Sequence, residues 1–336
     1  MSRIAIFGAG AWGTALALSF ARQPGHSVTL WSRSPQHAAQ LRAERENHKY
    51  LPGHRLPESI SHTADMSAAA GNADVLFSVV PSEHTRVHFE KLAPLLHPGQ
   101  IVISATKGLE DGTLLRMSEV IHDVLRSQRL SLLSGVLSGP SFADEVAAGL
   151  PTAVTLAFRR VDQAARLQAE FSTPTLRLYR NDDVIGVELG GALKNVIAIA
   201  AGAVAGCGLG HNATAAVITR GIAETTRLAL ACGGRRETLA GLSGLGDLVL
   251  TCTGSLSRNR LVGLELGRGR QLDEILQGLG GKVAEGVRTT GAALALAARH
   301  GVDMPITTQV SAVLRGERST QDAVQDLMSR ASRDEK

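Results

Sequence analysis

The sequence predicts an α/β chain: a doubly wound sheet in the N-terminal half, followed by an all-α C-terminal domain. Three observations carry this. A short apolar strand, Arg3 to Phe7, runs into Gly8-Ala9-Gly10-Ala11-Trp12-Gly13 and then into a helical pattern, Thr14 to Arg22. Short apolar runs then alternate with amphipathic stretches through the first half of the chain. Beyond the polar turn Asn181-Asp182-Asp183 the strands stop, and apolar helical runs punctuated by glycine take over. The domain boundary is expected there, giving residues 1–183 and 184–336.

The glycine pattern is G-x-G-x-x-G in the setting its chemistry needs, with a strand before and a helix after. Gly8 allows a tight turn, Gly10 lets a pyrophosphate approach the backbone, and Gly13 lets helix and strand pack closely. The helix N-terminus adds N–H groups and a positive dipole end. The first half therefore reads as a Rossmann-type dinucleotide-binding domain, and a glycine turn without a ligand is the weaker reading. Ser27 to Trp31 is the second strand. An NAD-specific site usually places an acidic residue near its end, but no Asp or Glu occurs between Gly13 and Glu44. The strand ends in Ser32-Arg33-Ser34 instead. A guanidinium flanked by hydroxyls suits a ribose 2′-phosphate, so NADP(H) is expected to be preferred or fully accepted. A solvated loop arginine is the alternative.

Ala38 to Arg45 reads as helix and Asn47 to Pro57 as a loop rich in Pro, Gly and His. Strand Ala73 to Val80 stops at Pro81, and helix Glu83 to Leu96 follows. His84 and His88 have helical i, i+4 spacing without acidic ligands around them, which favours a polar helix face over a metal site. Strand Ile101 to Ser104 delivers Thr106-Lys107-Gly108 to the carboxyl edge of the sheet, where ligands sit in such folds. Helix Leu114 to Leu125 and strand Leu130 to Leu137 lead to Ser138-Gly139-Pro140-Ser141-Phe142 and helix Ala143 to Ala148. Pro151 to Phe158 and Thr175 to Tyr179 read as two added strands around helix Asp162 to Phe171.

The second half centres on Val187 to Gly202, an apolar run with one ammonium, Lys194, in its middle. On a helix its side chain leans over positions i−3 and i−4. These are Gly191 and Gly190, so the stem is expected to overhang an open groove. A desolvated amine can titrate in a working range; a snorkelling lysine is the other reading. Further on, Asn212 is a candidate helix cap, Gly241 to Asp247 is glycine-dense and ends in a carboxylate, and Ser257-Arg258-Asn259 is three anion-binding side chains in a row. By itself that triplet reads equally as a polar helix start. Gly280 to Gly286 is a loop before three closing helices.

Composition narrows the function classes. Hydrophobic residues make up 44%, charged residues 20% and aromatics 3%, which suits a globular core of small aliphatics with close backbone packing. The balance of 35 basic and 31 acidic residues, +4, suits small anionic ligands and is too mild and scattered for nucleic acid. Cys207, Cys232 and Cys252 form no metal or disulfide pattern, so no metal is expected and a reducing cytoplasm fits. The longest apolar segment, Val196 to Leu209, falls short of the roughly 20 residues a membrane span needs, and the opening strand is not read as a targeting segment. The apolar helical half suits a homodimer.

Several stretches together are similar to the bacterial NAD(P)-dependent glycerol-3-phosphate dehydrogenases. They are GAGAWGTALA from Gly8, ATKGLE around Lys107, SGPSFADEVAAGLPTA from Ser138, ELGGALKNVIAIAAG around Lys194, GLGDLVLTCTG from Gly244, LSRNR from Leu256 and VAEGVRTT from Val283. They cover almost the whole chain in one order. The resemblance implies a nucleotide-binding domain, a helical domain, and an active site between them. It implies that Lys194 is the catalytic proton donor and acceptor. Lys107, Gly139, Ser141 and Asp247 then match substrate contacts, and Ser257, Arg258 and Asn259 match the substrate-phosphate site. Ala11, Trp12, Arg33, Lys107, Ala143, Arg258, Val283 and Glu285 match cofactor positions. Ser141 stands where threonine is also common, and Arg33 stands where the residue varies. The implied substrate is a small phosphorylated triose or glycerol, and the implied cofactor NADP(H) or NAD(H). A β-hydroxyacid or ketopantoate-type reductase shares the plan but lacks the Ser-Arg-Asn clamp. A dinucleotide sensor without chemistry would have no use for Lys107, Lys194 and Asp247.

Overall fold

The structure, a computed structural model, describes residues 2–279 and 284–331. Its strands, in chain order, are β1 (Arg3–Phe7), β2 (Ser27–Trp31), β3 (Glu46–Asn47), β4 (Leu51–Arg55), β5 (Ile60–Thr63), β6 (Val75–Ser78), β7 (Ile101–Ser104), β8 (Leu133–Ser138), β9 (Thr152–Ala157) and β10 (Leu176–Asn181). Eight of them form one sheet in the order β10-β9-β8-β7-β6-β1-β2-β5. From β5 to β8 every neighbouring pair is parallel, while β9 and β10, parallel to each other, run antiparallel to β8. The order reverses at β1, which lies between β2 and β6. That switch point is where such sheets open a crevice at their carboxyl edge. The helices of this half are α1 (Ala11–Ala21), α2 (Pro35–Glu44), α3 (Met66–Gly71), α4 (Thr85–Leu92), α5 (Met117–Ser127), α6 (Ala143–Ala148) and α7 (Val161–Phe171).

The central strands are buried on both faces, so they read as continuous apolar runs rather than alternating ones. Alternate residues feed two cores. Ile4, Ile6, Val75, Phe77, Ile101 and Ile103 pack with Leu16, Phe20, Leu167 and Phe171 on one side. Ala5, Phe7, Leu76 and Val102 pack with Phe89, Leu92, Ile121 and Val124 on the other.

By compactness the chain divides into two units, Met1–Glu188 and Leu189–Lys336. At the end of the first, the buried Glu188 accepts from the Arg116 guanidinium at 2.6 Å and from the Ser118 N–H and hydroxyl at 2.8 and 2.6 Å. The boundary falls inside α8 (Val184–Gly206). The second unit continues through α9 (Gly210–Ala231), α10 (Arg236–Leu239), a π-helical turn at Leu242–Gly246, α11 (Asp247–Thr253), α12 (Arg258–Gly267), α13 (Leu272–Gly278), α14 (Glu285–Arg299), α15 (Pro305–Leu314) and α16 (Thr320–Met328). Here α8 and α12 meet backbone to backbone: a Cβ on Gly263 would stand 1.9 Å from the Ile199 carbonyl oxygen, and one on Gly202 would stand 2.0 Å from that of Arg260.

Several local expectations are corrected. Residues 47–57 are not plain loop, because β3 and β4 pair as a small antiparallel hairpin, and β5 adds an edge strand. Both are short and polar, so periodicity gave little sign of them. The helix expected from Leu114 starts at Met117, after Leu114 takes a left-handed turn at φ 64°. His88 does not sit on a polar helix face; it packs among Phe7, Trp31 and Phe89. Asn212 lies inside α9 rather than capping it. One helix, Val184–Gly206, is long and apolar enough to cross a membrane by length and composition, which the count from Val196 missed; 89% of its apolar window is buried inside the protein, as in a core helix. Of the loop expected from Gly280 to Gly286, residues 280–283 lie outside the described residues, and Glu285 and Gly286 already belong to α14.

Burial lowers both His62 and His88 from 6.5 to about 4, with Arg45, Arg42 and His37 adding to the effect on His62 and Lys91 on His88. Both rings therefore stay neutral in the fold. Below about 6.5 the unfolded chain takes up protons that the folded chain refuses until about 4. The stability these rings hold is full above the unfolded value and is lost as pH falls toward 4. Chemical denaturation across that window should show stability falling, and His88→Phe should flatten the slope; an unchanged slope would contradict the assignment. In the second unit, Gly263→Ala should lower stability by about 1–3 kcal/mol through forced separation of α8 and α12, measured as a shift in the denaturation midpoint. A variant as stable as the parent would show that the two backbones have room to spare.

Candidate active site

In the first unit, the expected residues gather at the carboxyl edge of the sheet. β1 is followed directly by Gly8, whose φ is +122° and whose Cβ would lie 2.6 Å from the Val79 carbonyl oxygen. A Cβ on Gly13 would stand 1.9 Å from the Gly8 carbonyl oxygen, so α1 can seat on β1 only with glycine there. Gly10 is different: a Cβ there would meet nothing within 4 Å. The protein does not require that glycine for its own packing, which fits a position kept bare for a ligand. Ala11 and Trp12 open α1 and are partly buried. These residues fit the diphosphate of a dinucleotide. Arg33 follows β2, exposed, beside the buried Ser32.

β7 leads into Thr106, whose hydroxyl donates to the Val80 carbonyl at 2.7 Å and so ties its loop to the Pro81 loop. The next residue, Lys107, donates from Nζ to the Gly139 carbonyl at 3.2 Å, and the Ser141 hydroxyl donates to the same carbonyl at 3.0 Å. Gly139 has φ +146°, and a Cβ there would press within 2.9 Å of Val154 Cα. The structure thus brings Lys107, Gly139 and Ser141 together. Ala143 opens α6 two residues further on. The other end of α6 is held by Arg22 from the end of α1, which donates to the carbonyls of Val146 and Ala147.

In the second unit, Lys194 is on α8 and only 7% exposed. Its ammonium pairs with the carboxylate of Asp247 and donates to the Thr251 hydroxyl at 2.8 Å. Thr251 in turn donates to the Asp247 main-chain carbonyl at 2.6 Å, so its oxygen is left to accept from the lysine. Asp247 and Thr251 are one turn apart on α11 and share a face. The groove expected over Gly190 is not open. A Cβ on Gly190 would stand 2.6 Å from the Ser243 carbonyl oxygen, so the groove is filled by the π-helical turn that delivers Asp247. The glycine makes room for the lysine's counter-charge rather than for a ligand.

Ser257 caps α12, its hydroxyl accepting from the Arg260 N–H at 3.1 Å. Arg258 is exposed in the first turn. The buried Asn259 accepts from the Gly286 N–H at 2.9 Å and donates to Asn195 Oδ1 at 3.0 Å. It therefore joins α8, α12 and the start of α14, where Glu285 stands. Asn195 was missed at the sequence level. It is 3% exposed, and its Nδ2 has no hydrogen-bond partner among the described residues. Its position next to Lys194 was the available signal. Val283 lies outside the described residues. Burial pushes the Cys252 thiol up to about 12, which removes it as a nucleophile beside Thr251.

The comparisons with known proteins agree along the whole chain. Residues 3–164 match the family described as NAD-dependent glycerol-3-phosphate dehydrogenase N-terminus, and residues 183–325 match its C-terminus. The chain is 63% identical to a glycerol-3-phosphate dehydrogenase [NAD(P)+] of Acidobacterium capsulatum, over 100% of both chains. It is 54% identical to the enzyme of that name from Koribacter versatilis, over 99% of this chain and 98% of the relative. Among solved structures it is similar to glycerol-3-phosphate dehydrogenase from Coxiella burnetii, with a TM-score of 0.92 at 43% identity, over 98% of this chain and 99% of the other. On these matches and the fold above, the chain belongs to the NAD-dependent glycerol-3-phosphate dehydrogenase family.

Proposed function

We propose that this protein interconverts sn-glycerol 3-phosphate and dihydroxyacetone phosphate with NADP(H) or NAD(H), supplying glycerol 3-phosphate for glycerophospholipid synthesis. The observation that carries the reading is the buried Lys194 held by Asp247 and Thr251, in a chain whose full-length relatives bear that enzyme name. Residues 1–183 serve as the dinucleotide-binding domain and 184–336 as the substrate domain. The three free thiols suit a reducing cytoplasm, and the apolar helical half suits a homodimer.

When bound, the dinucleotide supplies the hydride. Gly8, Gly10, Ala11, Trp12 and Gly13 seat its diphosphate, with Arg33 at the ribose and Ala143, Arg258, Val283 and Glu285 as further contacts. Lys194 carries the proton chemistry. As an ammonium it stabilises the oxyanion that develops at the ketone and releases a proton to it; as an amine it takes the alcohol proton in reverse. Asp247 and Thr251 aim the amine. The adjacent carboxylate favours its charged form, against burial, which favours the neutral one. Lys107, Gly139 and Ser141 orient the substrate. Ser257, Arg258 and Asn259 grip its phosphate, with the Asn195 amide as an added donor. Binding energy from a phosphate remote from the reacting carbon goes into positioning that carbon.

The direct test is oxidation of NADPH and NADH in the presence of dihydroxyacetone phosphate. Lys194→Ala should cut kcat by about 10²–10⁴-fold while dinucleotide binding, followed by fluorescence titration, persists. Turnover within about tenfold of the parent would sink the assignment. Arg33→Asp should raise KM for NADPH by about tenfold or more, through loss of a charge-assisted contact and gain of a repulsive one, and leave KM for NADH nearly unchanged. Equal losses with both cofactors would remove Arg33 from the 2′-phosphate site.

A further inference from the structure

The β3–β4 hairpin places Asn47, 1% exposed, against the glycine-rich loop. Its side-chain amide makes four hydrogen bonds, and the direction of each is forced. The Ala9 carbonyl oxygen can only accept, so Asn47 Nδ2 must face it, at 3.0 Å. The Thr14 hydroxyl donates to the Gly10 carbonyl at 2.8 Å, so its oxygen accepts the second Nδ2 hydrogen at 2.7 Å. Oδ1 is left to accept from the Tyr50 N–H at 3.3 Å and from His37 Nε2 at 3.2 Å. Flipping the amide would set oxygen against the Ala9 oxygen and nitrogen against the Tyr50 N–H.

The polarity propagates. His37 Nε2 must carry a hydrogen in order to donate to Oδ1. In the Nε2–H tautomer Nδ1 is bare, and the Ser32 hydroxyl, 3.0 Å away, donates to it. One amide therefore sets a chain of hydrogen bonds from the glycine-rich loop to the residue beside Arg33. These are the two ends of the cradle assigned above to a single dinucleotide.

We propose that Asn47 is a positioning residue for the dinucleotide: it fixes the Gly8–Gly13 loop through Ala9 and Thr14, and through His37 it fixes the direction of the Ser32 hydroxyl. The proposal rests on reading that loop as the diphosphate seat and Ser32-Arg33 as the ribose end.

Asn47→Asp keeps the shape and exchanges two donors for a carboxylate oxygen facing the Ala9 carbonyl. Dissociation constants and KM for NADPH and NADH should both rise at least about tenfold, with kcat changed less than about threefold. A thermal melt run alongside separates this from loss of fold. His37→Ala removes the branch to Ser32 and one of the two donors to Oδ1, while Ala9, Thr14 and the Tyr50 N–H still hold the amide. It should shift the ratio of NADPH to NADH affinity by about threefold or more and leave NADH binding unchanged. ¹⁵N NMR of the unsubstituted protein should find His37 as the Nε2–H tautomer. An Asp variant that binds both dinucleotides within about twofold of the parent would overturn the proposal, and so would a predominant Nδ1–H tautomer. If Arg33→Asp leaves the ratio of the two cofactors unchanged, the reading of the ribose end fails by itself; the effect of Asn47→Asp on both cofactors still tests the hold on the glycine-rich loop.

Discussion

A buried ammonium is the constraint around which the second unit is arranged. Lys194 sits in an apolar helix with almost no access to water, where an unpaired charge would be too costly to keep. Its counter-charge has to come from another element at contact distance. Asp247 supplies it from the first turn of α11, and Thr251 adds a neutral acceptor one turn later. Both reach α8 because the π-helical turn before Asp247 lies against Gly190, where no side chain intervenes. The same contacts that balance the lysine's charge also fix where its ammonium points, so one arrangement serves both its burial and the role proposed for it.

The approach of α12 to α8 follows the same logic. Gly202 and Gly263 let the two backbones touch, which brings Asn259 to Asn195, immediately after the lysine. In the first unit, Gly13 plays the corresponding part by letting α1 settle on β1. Close approach in a chain with 3% aromatic residues comes from removing side chains rather than from interlocking large ones. Around the sheet edge, carbonyls act as the fixed points: Gly139 receives Lys107 and Ser141, Val80 receives Thr106, and Ala9 receives Asn47. A backbone oxygen in a packed loop cannot turn away, so it orients whatever donates to it.

Much of this was legible in the sequence because it is local. The strand ends at Phe7, Trp31 and Ser104, and the α6 span from Ala143 to Ala148, follow from apolar runs stopped by glycine or polar residues. The glycine-rich loop follows from spacing. The hairpin of β3 and β4 and the edge strand β5 were not legible, since short polar strands are stabilised by their partners and carry no period of their own. His88 misled for a related reason: helical spacing to His84 says that the two share a face, and only the packing of Phe7 and Trp31 says that this face turns inward at His88.

The sequence by itself determined which candidate groups the chain offers and in what order they come: a glycine-rich loop at the start, a lysine in an apolar helix, a carboxylate after a glycine run, and a Ser-Arg-Asn triplet. Tertiary structure alone decided what each of them touches. It filled the groove at Gly190 with backbone, gave Asp247 to the lysine, turned Asn259 toward Asn195 and Gly286, and made Asn47 the hinge of a hydrogen-bond chain. The reason is physical. Propensity and spacing act over a few residues, whereas a buried charge or a saturated amide is satisfied by groups distant along the chain, and their identity depends on which backbones can come close enough to meet.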